Sequence, residues 1–272
     1  MVDSISVFSH TIFWLWVAGL VTLAAGILAR RIHPLLFAAP LVVFGAEHLT
    51  SARAIAGAVP AWMPWRMFWV YFVGVALICA GLSIALKIYD RLSATLAGIM
   101  FVCFVAMIHI PNVVTAPRDR IIWAVALRDL SFAGGAFALA QGKALRPVVR
   151  MFVGVPLIFF AVEHFLHPQF APGVPLPKMT PDWVPIRAFW GYLTGLALLV
   201  AGAMMLVNSG KARVTAMAVG WLMVGLTLFL YLPIFLTAPP AGMLEGINYV
   251  ADTLLFGGAV MAAAGAWPRN GA

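Results

Sequence analysis

Nine apolar runs, each near the length a helix needs to cross a bilayer, constrain this 272-residue chain more than any other feature. Crossing about 30 Å of hydrocarbon takes roughly 20 apolar residues in a helix. The runs cover residues 11–29, 35–51, 67–86, 93–115, 121–140, 148–166, 188–207, 214–237 and 247–266, with basic or Pro/Gly-rich breaks between them. They are continuously apolar rather than alternating, which selects helices over barrel strands. The expected fold is an all-α integral membrane protein with about nine transmembrane helices. Composition agrees. The chain is 64% hydrophobic and 10% charged, whereas soluble domains average about 45–50% and 25%, so an ordinary globular enzyme and a disordered tail are both excluded.

The basic residues orient the spans. Arg53, Arg66, Arg118, Arg120, Lys178 and Arg187 fall on one side. Arg30, Arg31, Lys87, Arg91, Lys143, Arg146, Arg150, Lys211, Arg213 and Arg269 fall on the other, which is therefore cytoplasmic. The N-terminus is then outside and the C-terminus in the cytoplasm, as for a bacterial inner-membrane protein. The run at 11–29 follows Asp3 with no basic segment before it, so it reads as a retained helix rather than a cleaved signal. The net charge of +8 is spent in these short gaps, so nucleic acid is not an expected partner, whereas the lipid bilayer is. Cys79 and Cys103 form no CxxC pair, and neither is matched in the other half of the chain.

The chain repeats itself. PLVVFGAEHL at 40–49 matches PLIFFAVEHF at 156–165, 116 residues on. VPAWMPWRMFWVYFVGVAL at 59–77 matches TPDWVPIRAFWGYLTGLAL at 180–198, 121 residues on, so the second copy has five extra residues near 172–180. HIPNVVTAP at 109–117 matches YLPIFLTAP at 231–239, and RDLSFAGGAFALA at 128–140 matches ADTLLFGGAVMAA at 251–263. The repeat is four helices long, and the ninth helix echoes the fifth. An even number of crossings makes the copies parallel, related by a pseudo-two-fold along the membrane normal. Divided by spans, residues 1–120 are the first four-helix repeat, 121–240 the second, and 241–272 the ninth helix and tail.

Ionisable residues inside these runs are the candidates for function, because each costs about 2.5–3.5 kcal/mol near the bilayer centre. Counting about 1.5 Å per residue, Glu47 lies roughly 10 Å below the outer face, Asp129 about 13 Å below it, and His109 close to it. Glu47–His48 and Glu163–His164, Asp129 and Asp252, Arg66 and Arg187, and His109 and Tyr231 all gather in the outer half. Adjacent residues point about 100° apart on a helix, so Glu47 and His48 do not both face one small ligand. Glu163, His164 and His167 share a face, and such a cluster could relay protons or hold zinc or iron. His48 with His164 could ligate a haem. The plain structural alternative is that Glu47 pairs with Arg66 and Glu163 with Arg187 to fix helix packing. The GG pairs at 134–135 and 257–258 read as close helix contacts. Trp and Pro in the outer loops read as interfacial anchors. No GxSxG, Walker A, HExxH or CxxCH motif is present, and EHFLH at 163–167 has the zincin letters in the wrong order.

In EHFLHPQF…PDWVPIRAFWGYLTG the chain resembles the DoxX and DoxX-like family of four-helix membrane proteins. The resemblance is carried by His164, Phe165, Pro168, Phe170, Pro181, Trp183 and Pro185, with His48, Leu49, Pro60, Trp62 and Pro64 in the first copy. Arg128, Asp129, Gly134 and Gly135 resemble the family's basic–acidic pair before a small-residue helix. Many relatives carry a carboxylate shortly after the Gly that here is Gly74 or Gly195; this chain has its carboxylates at Glu47 and Glu163 instead.

The resemblance implies a fused tandem pair of such units and a redox-associated or quinone-linked membrane subunit, working with membrane redox partner subunits. In that reading Glu47, His48, Glu163 and His164 exchange protons with a quinone. Arg66, His109, Asp129, Arg187, Tyr231 and Asp252 surround the cofactor, haem and metal are the lesser alternatives, and no residue is assigned to a metal. The rival readings are a small-molecule or ion transporter with its path at the repeat interface and a non-catalytic scaffold or chaperone.

Overall fold

The computed structural model describes residues 32–141 and 144–267. Eight long helical segments fill it. They are α1 (Ile32–Thr50), α2 (Arg66–Leu86), α3 (Asp90–Thr115), α4 (Arg120–Gln141), α5 (Arg146–Leu166), α6 (Arg187–Leu206), α7 (Ala212–Leu236) and α8 (Met243–Ala264). Each coincides with one of the apolar runs. The run at 11–29 lies outside the described residues, as do Arg30, Arg31, Lys143 and Arg269. Seven segments are long and apolar enough to cross a membrane; α1 passes the same test when joined to the short helical stretch after it, across a bend of 92°. Among the described residues there is no β-strand, only an isolated bridge between Phe170 and Met179.

The duplication is legible in local structure as well as in sequence. Trp65 and Ile186 both take left-handed backbone (φ 53° and 48°) at the start of α2 and α6. One turn later the indoles of Trp69 and Trp190 donate to the carbonyls of Pro64 and Pro185, at 3.0 and 3.1 Å. In α3 and α7 the α-helix widens into a π turn at Val105–His109 and Thr227–Tyr231. Pro111 and Pro233 follow each turn. A proline has no N–H for the i−4 carbonyl and clashes with it, and one extra residue in the turn relieves both problems.

The matched local features make α1–α4 and α5–α8 correspond helix for helix, and they are treated as the two units. Within each unit neighbours in sequence pack together, and the first helix of each unit lies against the fourth helix of the other, α1 on α8 and α5 on α4. The fourth helices also pack on each other. This puts α8 at the centre, with 89% of its apolar window buried, while α3 has only 22%. Glycines allow the central crossings. A Cβ on Gly135 would sit 2.5 Å from the Cα of Ala259, and one on Gly258 would sit 2.6 Å from the backbone nitrogen of Phe37. The expectation that the GG pairs serve close helix contact is met at both copies.

Candidate functional site

The polar site is built where the two units meet. The guanidinium of Arg128 on α4 donates to Asp129 Oδ1 at 3.0 Å and to Asp252 Oδ2 on α8 at 2.9 Å. Asp129 Oδ2 in turn lies 2.8 Å from His109 Nε2, at the end of the α3 π turn. The π turn is what carries His109 into line with α4. Four side chains from three helices therefore form one chain of charge-assisted hydrogen bonds, His109–Asp129–Arg128–Asp252. Asp129 and Asp252 are buried, and the Arg128 side chain is 19% exposed.

Glu47 completes the group from α1. It is only 5% exposed and bonds the Asn248 side chain of α8, one turn before Asp252, whose charge acts on it. Among the described residues its Oε1 has no hydrogen-bond partner, and neither does Asp252 Oδ1. A buried carboxylate oxygen without a partner has given up its hydration with nothing in return. Two of them in one polar group mark an unfinished site.

The second unit treats the matching residues differently. Glu163 Oε2 accepts from Arg120 at 3.0 Å, not from Arg187. His164 is buried and fully used: its Nδ1 donates to Phe160 O (2.6 Å) and its Nε2 accepts from the Gly173 amide (3.0 Å). Gly173 belongs to the longer connection of this unit. That connection folds into the bundle with Ala171–Pro175 buried, closed by Ala171 N–H donating to Lys178 O and Thr180 N–H to Gln169 O. Gly173 has φ +130°, a conformation open to glycine. Tyr231, the counterpart of His109, donates its hydroxyl to Pro172 O at 2.8 Å, and Arg120 stacks over the Phe170 ring at 4.4 Å. The five extra residues are thus the plug that seals the second copy. In the first unit residues 53–69 are half-buried or exposed.

Several expected roles change. Arg66 and Arg187 are exposed at their helix starts; Arg187 pairs with exposed Asp182, and neither reaches a Glu. The left-handed residue that opens each helix turns the first side chain outward. Among the described residues Glu47 therefore has no arginine of its own. His48 donates Nδ1 to Phe44 O (2.8 Å) and sits against Gly74 of α2, away from Glu47's face. His164 has no ring nitrogen left for iron, so a haem held between His48 and His164 does not fit. His167 lies beyond the helix end, edge-on to Phe170, and does not join Glu163 on one face. Among the described residues no group of three or more His, Cys, Asp or Glu side chains could hold a metal ion. Tyr231 is a plug anchor rather than a cofactor contact. His109, Asp129, Asp252 and Glu47 do come together. Arg128 is one of the ionisable candidates inside the apolar runs, but its place as the hub was not foreseen, and Arg120 and Asn248 were not singled out.

With this geometry in hand, comparison with known proteins adds little chemistry. A family model described as a domain of unknown function (DUF8561) matches residues 37–133. The match lies within α1–α4 and takes in Glu47, His109, Arg128 and Asp129, but not Asp252. No curated protein and no solved structure matches the chain.

Proposed function

We propose that this chain is an integral membrane protein of the DoxX-like type whose buried network exchanges protons in a quinone-linked redox step. The bilayer reading is supported by the seven long apolar helices and the bent α1. With the run at 11–29 it gives nine crossings, an external N-terminus and a cytoplasmic C-terminus. The connections at 51–65 and 167–186 then face outward.

One observation carries the proton reading: the network ends on two unpartnered carboxylate oxygens, Glu47 Oε1 and Asp252 Oδ1. Ionisable groups inside a membrane are kept for structure or for traffic of charge. A purely structural network would be closed, as Arg120–Glu163 is. This one leaves Asp252 Oδ1 open, and Glu47 Oε1 is open as well. A quinone, when bound, supplies oxygens that take up and release protons. Of this chain's side chains, Glu47 and Asn248 would hold its head group, and the open Glu47 oxygen is the feature that fits it. Membrane redox subunits are the corresponding partners. The test is to purify the protein in native-lipid discs, assay the extract for quinone, and titrate a short-tailed quinone against the wild type and Glu47→Gln. Bound quinone, weakened by the substitution, is the expected result. No quinone retained or bound by either form would end the redox reading.

A second reading, proton transport, is favoured by one feature: the Arg128–Asp252 pair crosses the α4–α8 contact between the two units. Proton flux into liposomes that Glu47→Gln abolishes, in protein free of quinone, would select it.

A further inference from the structure

We infer that Glu47 holds one exchangeable proton, and that the matching carboxylate of the second unit, Glu163, holds none. The inference deepens the reading of the network as a proton-exchange site, and it stands whether or not the redox partner is a quinone.

Charge balance is the first ground. The connected group holds three carboxylates (Glu47, Asp129 and Asp252), one guanidinium (Arg128) and one imidazole (His109). Even with the imidazole charged, one negative charge is in excess. A buried ion without a partner is strongly disfavoured, so a further positive charge belongs there. Asp129 is engaged through both oxygens, by Arg128 and His109, and Asp252 through one. Among the described residues Glu47 receives only the Asn248 side chain. It is the carboxylate with the least positive charge beside it.

Geometry is the second ground. Glu47 is 5% exposed and Asp252 4%, and each has one oxygen without a partner. From α8, Asn248 bonds Glu47 and the charge of Asp252 acts on it; from α4, Arg128 and Asp129 stand behind Asp252. A proton on Glu47 Oε1 gives that oxygen a hydrogen and removes a buried charge that no basic side chain of the described residues meets. A hard metal cation is a poorer match, because such ions take about six or more oxygens and the open carboxylate oxygens here are two. Uptake forms one O–H bond at Glu47, release breaks it, and no electron moves.

The second unit is the built-in control. Glu163 is buried like Glu47 but is paired directly with Arg120, so its charge is already balanced. The same glutamate, in the same repeat position, is ionised in one unit and protonated in the other.

The experiment is infrared spectroscopy of the protein in lipid discs at neutral pH, with no quinone added, on the wild type, Glu47→Gln and Glu163→Gln. The wild type shows the carbonyl stretch of a protonated carboxyl, shifted in deuterium oxide. Glu47→Gln loses the band and keeps its resistance to unfolding, since Gln copies the protonated form; Glu163→Gln keeps the band and loses stability, since Arg120 is left alone. Asp252→Asn, which retains Glu47, shifts the band without removing it, and supplies the readout if Glu47→Gln does not fold. A wild type without the band, a band that survives Glu47→Gln, or a band that sodium chloride titrates away at constant pH would each overturn the inference. A missing band leaves the quinone question open, whereas a band with no quinone bound removes the quinone reading alone.

Discussion

Removing Arg128 tests the central network most severely. Arg128→Leu deletes the hydrogen bonds at 3.0 Å to Asp129 and 2.9 Å to Asp252 and leaves both carboxylates buried. Breaking a buried ion pair from one side costs about 3–5 kcal/mol, because the partner charge is stranded. Asp129 keeps His109 at 2.8 Å, so Asp252 bears most of the loss. Neutralising it in the double variant Arg128→Leu/Asp252→Asn should recover about 1–3 kcal/mol, a coupling of the size that contacting residues show. Reversible unfolding in mixed micelles, read on the wild type, both single variants and the double variant, measures this cycle. Every 1.4 kcal/mol is a tenfold change in the unfolding equilibrium, so the expected single-variant loss exceeds 100-fold. A loss below about 1 kcal/mol, or strictly additive singles, would show that the pair carries no such weight and that the network is solvated.

Four further outcomes follow from the same structure. Arg120→Ala should destabilise measurably because it strands buried Glu163, while Arg66→Ala and Arg187→Ala, at exposed positions, should stay within about 0.5 kcal/mol in the same unfolding measurement. Gly258→Ala brings a Cβ to 2.6 Å from the Phe37 backbone nitrogen and should cost about 1–3 kcal/mol, whereas Gly57→Ala, with nothing within 4 Å, should be neutral. His164→Ala removes the acceptor for the Gly173 amide; hydrogen exchange there should quicken, with no change across residues 51–65. Cys79 and Cys103 are exposed and lie 13 residues into α2 and α3, about 20 Å along each helix. In intact membranes they should resist a water-soluble maleimide, and ready labelling would argue against burial in lipid.

Helices were the easy part to foresee, because continuous apolar character needs no knowledge of partners. The run at 67–86 became Arg66–Leu86, and that at 148–166 became Arg146–Leu166. The clustering of His109, Asp129, Asp252 and Glu47 was also visible, since each is costly in an apolar run and depth follows from counting residues. Pairing was not, because depth says nothing about rotation about the helix axis. Arg66 and Arg187 stand near the right level but turn outward, so Glu163 takes Arg120 of α4 instead and Glu47 takes Asn248 of α8. The histidines misled for a different reason. A helix always offers an i−4 carbonyl, and both His48 and His164 take it. The plug left a trace that went unread: the PGVPLP stretch at 172–177 is apolar and lacks charge, which is unusual for an exposed connection.

The sealed second copy also explains why two units on one chain do what a pair of identical subunits cannot. In a symmetric homodimer, a connection long enough to stopper one half would stopper the other, and a connection too short to do so would leave both open. Covalent fusion lets the halves diverge by five residues, so that one is closed by its own connection while the other is not.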